Sequence, residues 1–440
     1  MASQRARGER FTLAELGLDQ RPPFNSPAML AIEAAQGGLA RFYDTTNGVV
    51  LERSGAADDD ARVLWRSARF ESVVMMTGDW EVMQGRLDSL EPLMVELRSA
   101  LSHHVPDPGG SYSHANSRPV NFVAIRETAQ LLADAVVLEL QRGVPDRAMT
   151  NLVTLIRLAR QHSELHWLVN QMIRVALTDL AIHSAWQVLQ RPGWSEGELA
   201  LLQSELEQCF LLSEIGRCLE VGRARGLDFF DQLKRKPSGT ATTLPGVGRG
   251  PLDRLHYRVY RSFFSSQDLQ LFLGAYQISI DGLREANAGA AWVPIATRLD
   301  EAQAELVRRV KRRFGGVFHF ALLSANTLPN FNRAFESAVR VETRRRLAVV
   351  AVALERFRLR HGRLPEHLDE LTPDYIQALP ADPYVARAFH YRPEPQGQYR
   401  LWSVGADGQD DGGHPGSEPG SPVRSSRLDE VWPIPGEFME

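Results

Sequence analysis

The chain has 440 residues, of which 43% are hydrophobic and 24% charged, and Lys+Arg 50 against Asp+Glu 54 leave a formal net charge of −4. These figures suit a globular protein of about two to three domains and exclude both wholesale disorder and a global basic field for nucleic acid. Two cysteines exclude a disulfide-rich scaffold or an all-cysteine zinc site, and no run of about 18 apolar residues is present.

The opening residues, Met1 to Arg10, are polar and basic, without the apolar core of a signal peptide. Thr12 and Glu15 stand at capping-box spacing, which predicts a short helix over 12–17, and Arg21 to Pro27 read as an extended Pro-rich connector. From Asp79 to Leu101 the apolar residues recur at helical intervals through Val82, Leu87, Leu90, Met94 and Leu97. Breakers fill 105–119, and a second helix is expected from Val120 to Gln141. Gly143 and Pro145 end it, and Asp146 can cap the next. Leu131 to Arg160 thus resembles one tetratricopeptide-type hairpin, with no second copy at a fixed period.

Further helices are expected over Leu165–Leu189 and, behind a Ser195/Glu198 capping box, through Leu199, Leu206, Phe210 and Leu211. Cys209 and Cys218 fall in that last continuous pattern; on one helix they would lie roughly 13 Å apart, too far to bridge. Residues 237–251 are rich in Gly, Pro, Ser and Thr, but no strand precedes them and no Gly-Lys-Ser/Thr follows, which argues against a phosphate loop. Helices resume near Ser266 and at Leu299–Phe314, where Arg308, Arg309, Lys311, Arg312 and Arg313 form a basic run that reads as a solvated face.

Enzyme motifs are sparse. His162 and His166 stand at i and i+4, as a zinc pair requires, but Glu164 is two residues on rather than one, so the zincin pattern is not met. His183 lies too far along to serve as a third ligand by spacing, and structural histidines are the simpler account. His103, His104 and His114 are similarly weak, and no Gly-x-Ser-x-Gly elbow is present.

The C-terminal hundred residues are more informative. Phe335 to His361 reads as a long helix with one apolar stripe, Phe335, Val339, Leu347, Val350, Leu354 and Phe357, and many arginines elsewhere. Gly362 is its stop signal, Glu366–Leu371 a second short helix, and Ala381-Asp382-Pro383-Tyr384 a turn. Phe389–Arg392 and Gln398–Ser403 read as short strands, followed by the acidic, Gly-rich stretch Val404 to Gly413.

In order, His361-Gly362-Arg363-Leu364-Pro365, Asp382-Pro383-Tyr384 and Ser403-Val404-Gly405-Ala406-Asp407-Gly408 resemble the globular part of the major pseudopilin of type II secretion. The resemblance covers roughly residues 335–440 and implies a long helix, a small antiparallel sheet and a calcium loop. Carried over, the calcium donors are the Val404 carbonyl, Asp407 and a later acid near Asp429, with Asp410 or Asp411 as substitutes. Calcium takes six to eight oxygens, for which such a loop is suited. His414 through Arg427 is an insertion relative to that pattern. The mostly helical stretch ahead of the module replaces the family's polymerising N-terminal helix, so filament assembly in the pseudopilin manner is not expected.

The whole layout is also similar to anchored bacterial envelope proteins carrying the same tail, with Thr12-Leu13-Ala14-Glu15-Leu16 and Pro22-Pro23 matching the segment after the anchor. That implies a periplasmic or other extracytoplasmic location, with a membrane anchor absent from this chain. The expected fold is mainly α. An N-terminal segment (1–60) leads to a helical body (61–330), an irregular bundle or array, and then to a small α+β pseudopilin-like module (331–440). Two functions stay open. One is a non-enzymatic envelope protein with a scaffold or protein-interaction role, possible links to secretion and a calcium-stabilised loop. The other is a metal-dependent hydrolase or other enzyme with its site in the helical body, at the His162/His166 face. Protein partners are expected, nucleic acid is not.

Overall fold

The structure is a computed structural model that describes residues 5, 8–16, 61–65, 73–76, 80–102, 122–161, 167–235, 258–314, 331–413 and 429–432. Residues 105–119, 162–166 and 237–251, and with them His162 and His166, lie outside the described residues.

The strand pair β1 (Ala61–Trp65) and β2 (Val73–Met76), which the sequence reading did not anticipate, is antiparallel with Ala61 opposite Met76. Helix α1 (Trp80–Ser102) then buries Leu87, Leu90, Met94, Leu97 and Leu101 on one side, the 3–4 spacing that predicted it. Helices α2 (Phe122–Arg142) and α3 (Pro145–Gln161) form a hairpin. The latter begins at Pro145 rather than behind an Asp146 cap: a fixed φ and a missing N–H suit proline to a first helical position, and Asp146 instead joins the first turn.

Helix α4 (Leu168–Leu189) is followed by α5 (Glu196–Glu207), whose start is the expected capping box. Ser195 Oγ accepts from the Glu198 amide at 3.3 Å, and Glu198 accepts from the Ser195 amide at 2.8 Å. The helix stops at Glu207, four residues earlier than periodicity suggested, and α6 (Leu212–Arg235) starts afresh. The break turns Phe210 outward, 62% exposed, while Leu211 and Leu212 stay buried. Cys209 therefore sits in the break and Cys218 on α6, so the one-helix spacing does not apply. Both are free, buried thiols, and burial pushes the Cys209 thiol up to about 11.

A π-helical turn, Tyr260–Phe264, leads into α7 (Ser265–Asn287), and α8 (Trp292–Phe314) and α9 (Phe331–His361) complete the helices. Helices α6 and α7 pack so closely that a Cβ at Gly226 would lie 2.2 Å from the Phe272 ring, so only glycine fits there. One hydrophobic core runs from α1 to the C-terminal sheet, and a small second one holds Leu16, Val221 and Ala224. No helix among the described residues is long and apolar enough to cross a membrane.

Helix α9 differs from the single-stripe expectation. Leu347 through Leu354 are all buried, because the helix packs on α4 and α5, touches α6 and α8, and carries the small sheet. Alanines at 348, 351 and 353 make that enclosure possible by keeping the neighbouring backbones near.

Candidate functional site

The C-terminal module is built outward from α9. Gly362 adopts φ +68°, its amide reaching the Arg358 carbonyl at 2.8 Å, and the chain turns into a 3₁₀ turn, Leu368–Leu371, with both leucines buried. Next, Asp382 is 1% exposed, and its two carboxylate oxygens accept from the Tyr384 amide at 2.9 Å and the Val404 amide at 3.2 Å. This aspartate thus fastens the Asp-Pro-Tyr turn to the start of the Gly-rich loop. Burial raises its carboxyl above the ordinary value, and the amides partly oppose the rise. The carbonyls of Pro383 and Tyr384 accept from the Trp292 and Val293 amides at 2.9 and 3.1 Å, so the same turn satisfies the first donors of α8.

Strands β3 (His390–Glu394), β4 (Gln398–Ser403) and β5 (Glu430–Trp432) form an antiparallel sheet in that order, with His390 opposite Trp402 and Leu401 opposite Trp432. The third strand was not anticipated; three residues give too short an alternation to read. It places Glu430 beside α9, where Arg344 donates to Glu430 at 2.7 Å and to Asp179 of α4 at 3.1 Å.

The acids picked out in sequence stand in and beside the loop after β4, in unequal surroundings. Val404 is buried, and Asp407 is half-buried with Oδ1 accepting from the Gln409 amide at 3.0 Å. Asp410 accepts from Trp402 Nε1 and from the Gly412 amide, both at 2.9 Å, and lies 3.4 Å from His390 Nδ1. The indole N–H chiefly holds its carboxyl below the usual range. Asp411 is exposed. Asp429, the residue before β5, is 6% exposed, its Oδ2 accepting from the Gly413 amide at 2.8 Å. Its Oδ1 is buried. Burial, with Asp410 and Asp411 adding repulsion, pushes this carboxyl up, while the Gly413 and Asp411 amides both lower it.

Gly413 closes the loop at φ +74°, where a Cβ would stand 2.7 Å from Arg400 Cδ and 3.0 Å from the Trp402 ring. His390 stacks on Trp402 with centroids 5.3 Å apart. Asp382, Trp402 and His390 were read from sequence as turn and strand residues only. The Asp-Pro-Tyr motif carried the one signal that could have marked Asp382 as a link to the loop.

Among the described residues no three His, Cys, Asp or Glu side chains converge as a metal cage. His183, on α4, has Nδ1 2.8 Å from the Asp179 carbonyl of its own helix, an intrahelical role.

These features define a pseudopilin-like class of α+β module. The family model for Type II secretion system (T2SS), protein G, matches residues 330–418, which takes in α9, the turns, β3, β4 and the acidic loop through Gly413, with Asp429 beyond it. The C-terminal quarter of the chain is thus a pseudopilin-like module on a mainly helical protein. No curated protein and no solved structure matches the chain.

Proposed function

We propose that this chain is a non-enzymatic protein of the bacterial envelope, periplasmic or extracytoplasmic, that serves a type II secretion-like assembly as a scaffold or interaction partner. The carrying observation is the position of the matched module. Its long helix, which residues 330–418 open with, is enclosed by α4, α5, α6 and α8. Its middle, Leu347 to Leu354, is buried in its own chain and so is not available to pack into a filament, whereas turn and sheet residues such as Arg392 and Gln398 are exposed. The module therefore works as a docking element, not as a polymerising subunit.

Crosslinking in the cell tests this. A photo-reactive residue at Arg392 or Gln409, both exposed on the module, should give adducts with pilin-like secretion components, and one at Leu201 on the body should not. A folded, envelope-localised chain giving no such adduct from the module would end the reading.

Calcium belongs to the same proposal. The donors would be the Val404 carbonyl and the carboxylates of Asp407 and Asp429, with Asp411 the better substitute because Asp410 is engaged by Trp402. The support is the buried carboxylate of Asp429, held by two backbone amides beside the like charges of Asp410 and Asp411. A divalent cation would bind that carboxylate and relieve the repulsion, stiffening the loop against β5. Melting with EDTA and with added calcium reads this directly.

A further inference from the structure

Residues 8–16 lie against α6 and α7, far in sequence from both, and the way they are held is that of a bound peptide. Arg223 of α6 is the centre. Its side chain is 0% exposed, and every partner of its guanidinium is off its own helix. Nη1 donates to Gln277 of α7, and Nη2 donates to Glu9 at 2.9 Å and to the Arg10 carbonyl at 2.8 Å. Its Nε is buried and without a partner among the described residues even so. Arg284 of α7 donates to both oxygens of Glu9, and Gln277 Nε2 adds a bond at 3.2 Å. Burial alone would raise the Glu9 carboxyl; Arg284 and Arg223 hold it down at about 2. Two residues on, the Phe11 ring is 1% exposed, with the same Arg223 guanidinium 4.4 Å from its centroid.

Phe11 and Leu16 stand outside the main core; Leu16 clusters with Val221 and Ala224, with Leu13 against them. The site thus asks for three things in three residues: a carboxylate, a main-chain carbonyl and an aromatic ring. With the segment seated but its carboxylate removed, the buried Arg223 would keep only Gln277 and the Arg10 carbonyl as partners, an unfavourable state that selects an acid at this position.

We propose that the cleft between α6 and α7 is a receptor for an acid-x-aromatic peptide segment, filled in cis by Glu9–Phe11 and open to a partner protein's segment of the same chemistry once these leave. Two converging arginines select a carboxylate through paired hydrogen bonds, and the spacing to the ring sets the register. The inference stands apart from the secretion reading and holds or fails without it.

The test uses the full chain with Glu9→Ala and Phe11→Ala, which vacates the cleft, and a fluorescent peptide of residues 5–16 as probe. The vacated chain should bind the peptide at least tenfold more tightly than the unaltered chain does, and its melting temperature should rise by several degrees with peptide. Adding Arg223→Ala should abolish both effects. Glu9→Gln, which keeps the shape of the segment, provides a milder opening and should show intermediate affinity even if the double variant proves poorly folded. A folded variant that ignores the peptide, or equal binding by the vacated and unaltered chains, overturns the proposal.

Discussion

Within one module, α9 and the loop after β4 treat charge in opposite ways. On α9 the buried ions are matched. Glu342 accepts from Arg345 at 2.7 and 2.8 Å and from Arg346 at 2.8 Å, and Arg344 joins Asp179 to Glu430 across two other elements. In the loop, Asp407, Asp410 and Asp411 follow one another and Asp429 lies by the latter two, backbone amides take up part of their capacity, and nearby Arg400 is paired with Glu394 at 3.3 Å. The first pattern fixes how the module sits on the body; the second leaves acceptor capacity over. A charge-balanced interior is finished, while the acidic loop keeps like charges together.

The strongest way to break this comparison is to unbalance α9. Glu342→Gln leaves Arg345, 8% exposed, with the Leu206 carbonyl as its remaining strong acceptor. Loss of one member of such a buried pair costs about 3–5 kcal/mol, to be read by chemical denaturation at pH 7. The pH dependence has a definite sign. Burial alone would raise the Glu342 carboxyl, but Arg345 and Arg346 hold it below its ordinary 4.5. Its contribution is then present above 4.5 and is lost as the pH falls through the lowered value. The gap between the chain and its variant should be full at pH 7 and close in acid; a gap that widens there would show that Glu342 is not the ion its partners need.

Arg344→Met is expected to come next, at about 2 kcal/mol, below the range for fully buried pairs because Arg344 is 25% exposed. It leaves Asp179 without its bonded arginine and Glu430 with Arg340 at 3.8 Å, so adding Asp179→Asn should recover part of the loss. Full additivity of the two changes would mean that Arg344 does not bridge them. In the loop, Gly413→Ala meets both a left-handed backbone and the Trp402 ring. About 1–2 kcal/mol is expected from the backbone alone, and the displaced β5 end of the loop should respond more weakly to calcium in the same melts.

How much of this was legible in sequence follows from the range of each interaction. The Ser195/Glu198 box, the stop at Gly362 and the Asp382-Pro383-Tyr384 turn depend on residues within a few positions of one another, and sequence spacing reports them directly. The end of α5 at Glu207 was missed because apolar spacing continues unbroken through Phe210 and Leu211, while the chain turns at Gln208 to bury Leu211 and expose Phe210. The enclosure of α9 was missed for a related reason: alanines score weakly as an apolar face, yet Ala348, Ala351 and Ala353 are what allow neighbours on several sides. Arg344 with Asp179, Asp382 with Val404, and Arg223 with Glu9 join residues far apart in the chain. Among so many arginines and acids no spacing rule selects those pairs.

The smallest structural change gives the sharpest reading of the loop. Asp407 is half-buried, and its described hydrogen bond is to the Gln409 amide. Without calcium, Asp407→Ala should therefore shift stability by about 0.5 kcal/mol or less, the ordinary effect of a surface substitution. With calcium at a hundredfold excess over its Kd, a bound cation adds about 2.7 kcal/mol to the unaltered chain, and the variant should lose most of that increment. Melting both proteins in EDTA and then in calcium separates the two quantities. Equal calcium shifts in the two would move the cation away from Asp407. No shift in either would reduce the loop to a solvated acidic turn, and the buried oxygen of Asp429 would then be a cost that the packing of β5 against α9 has to offset.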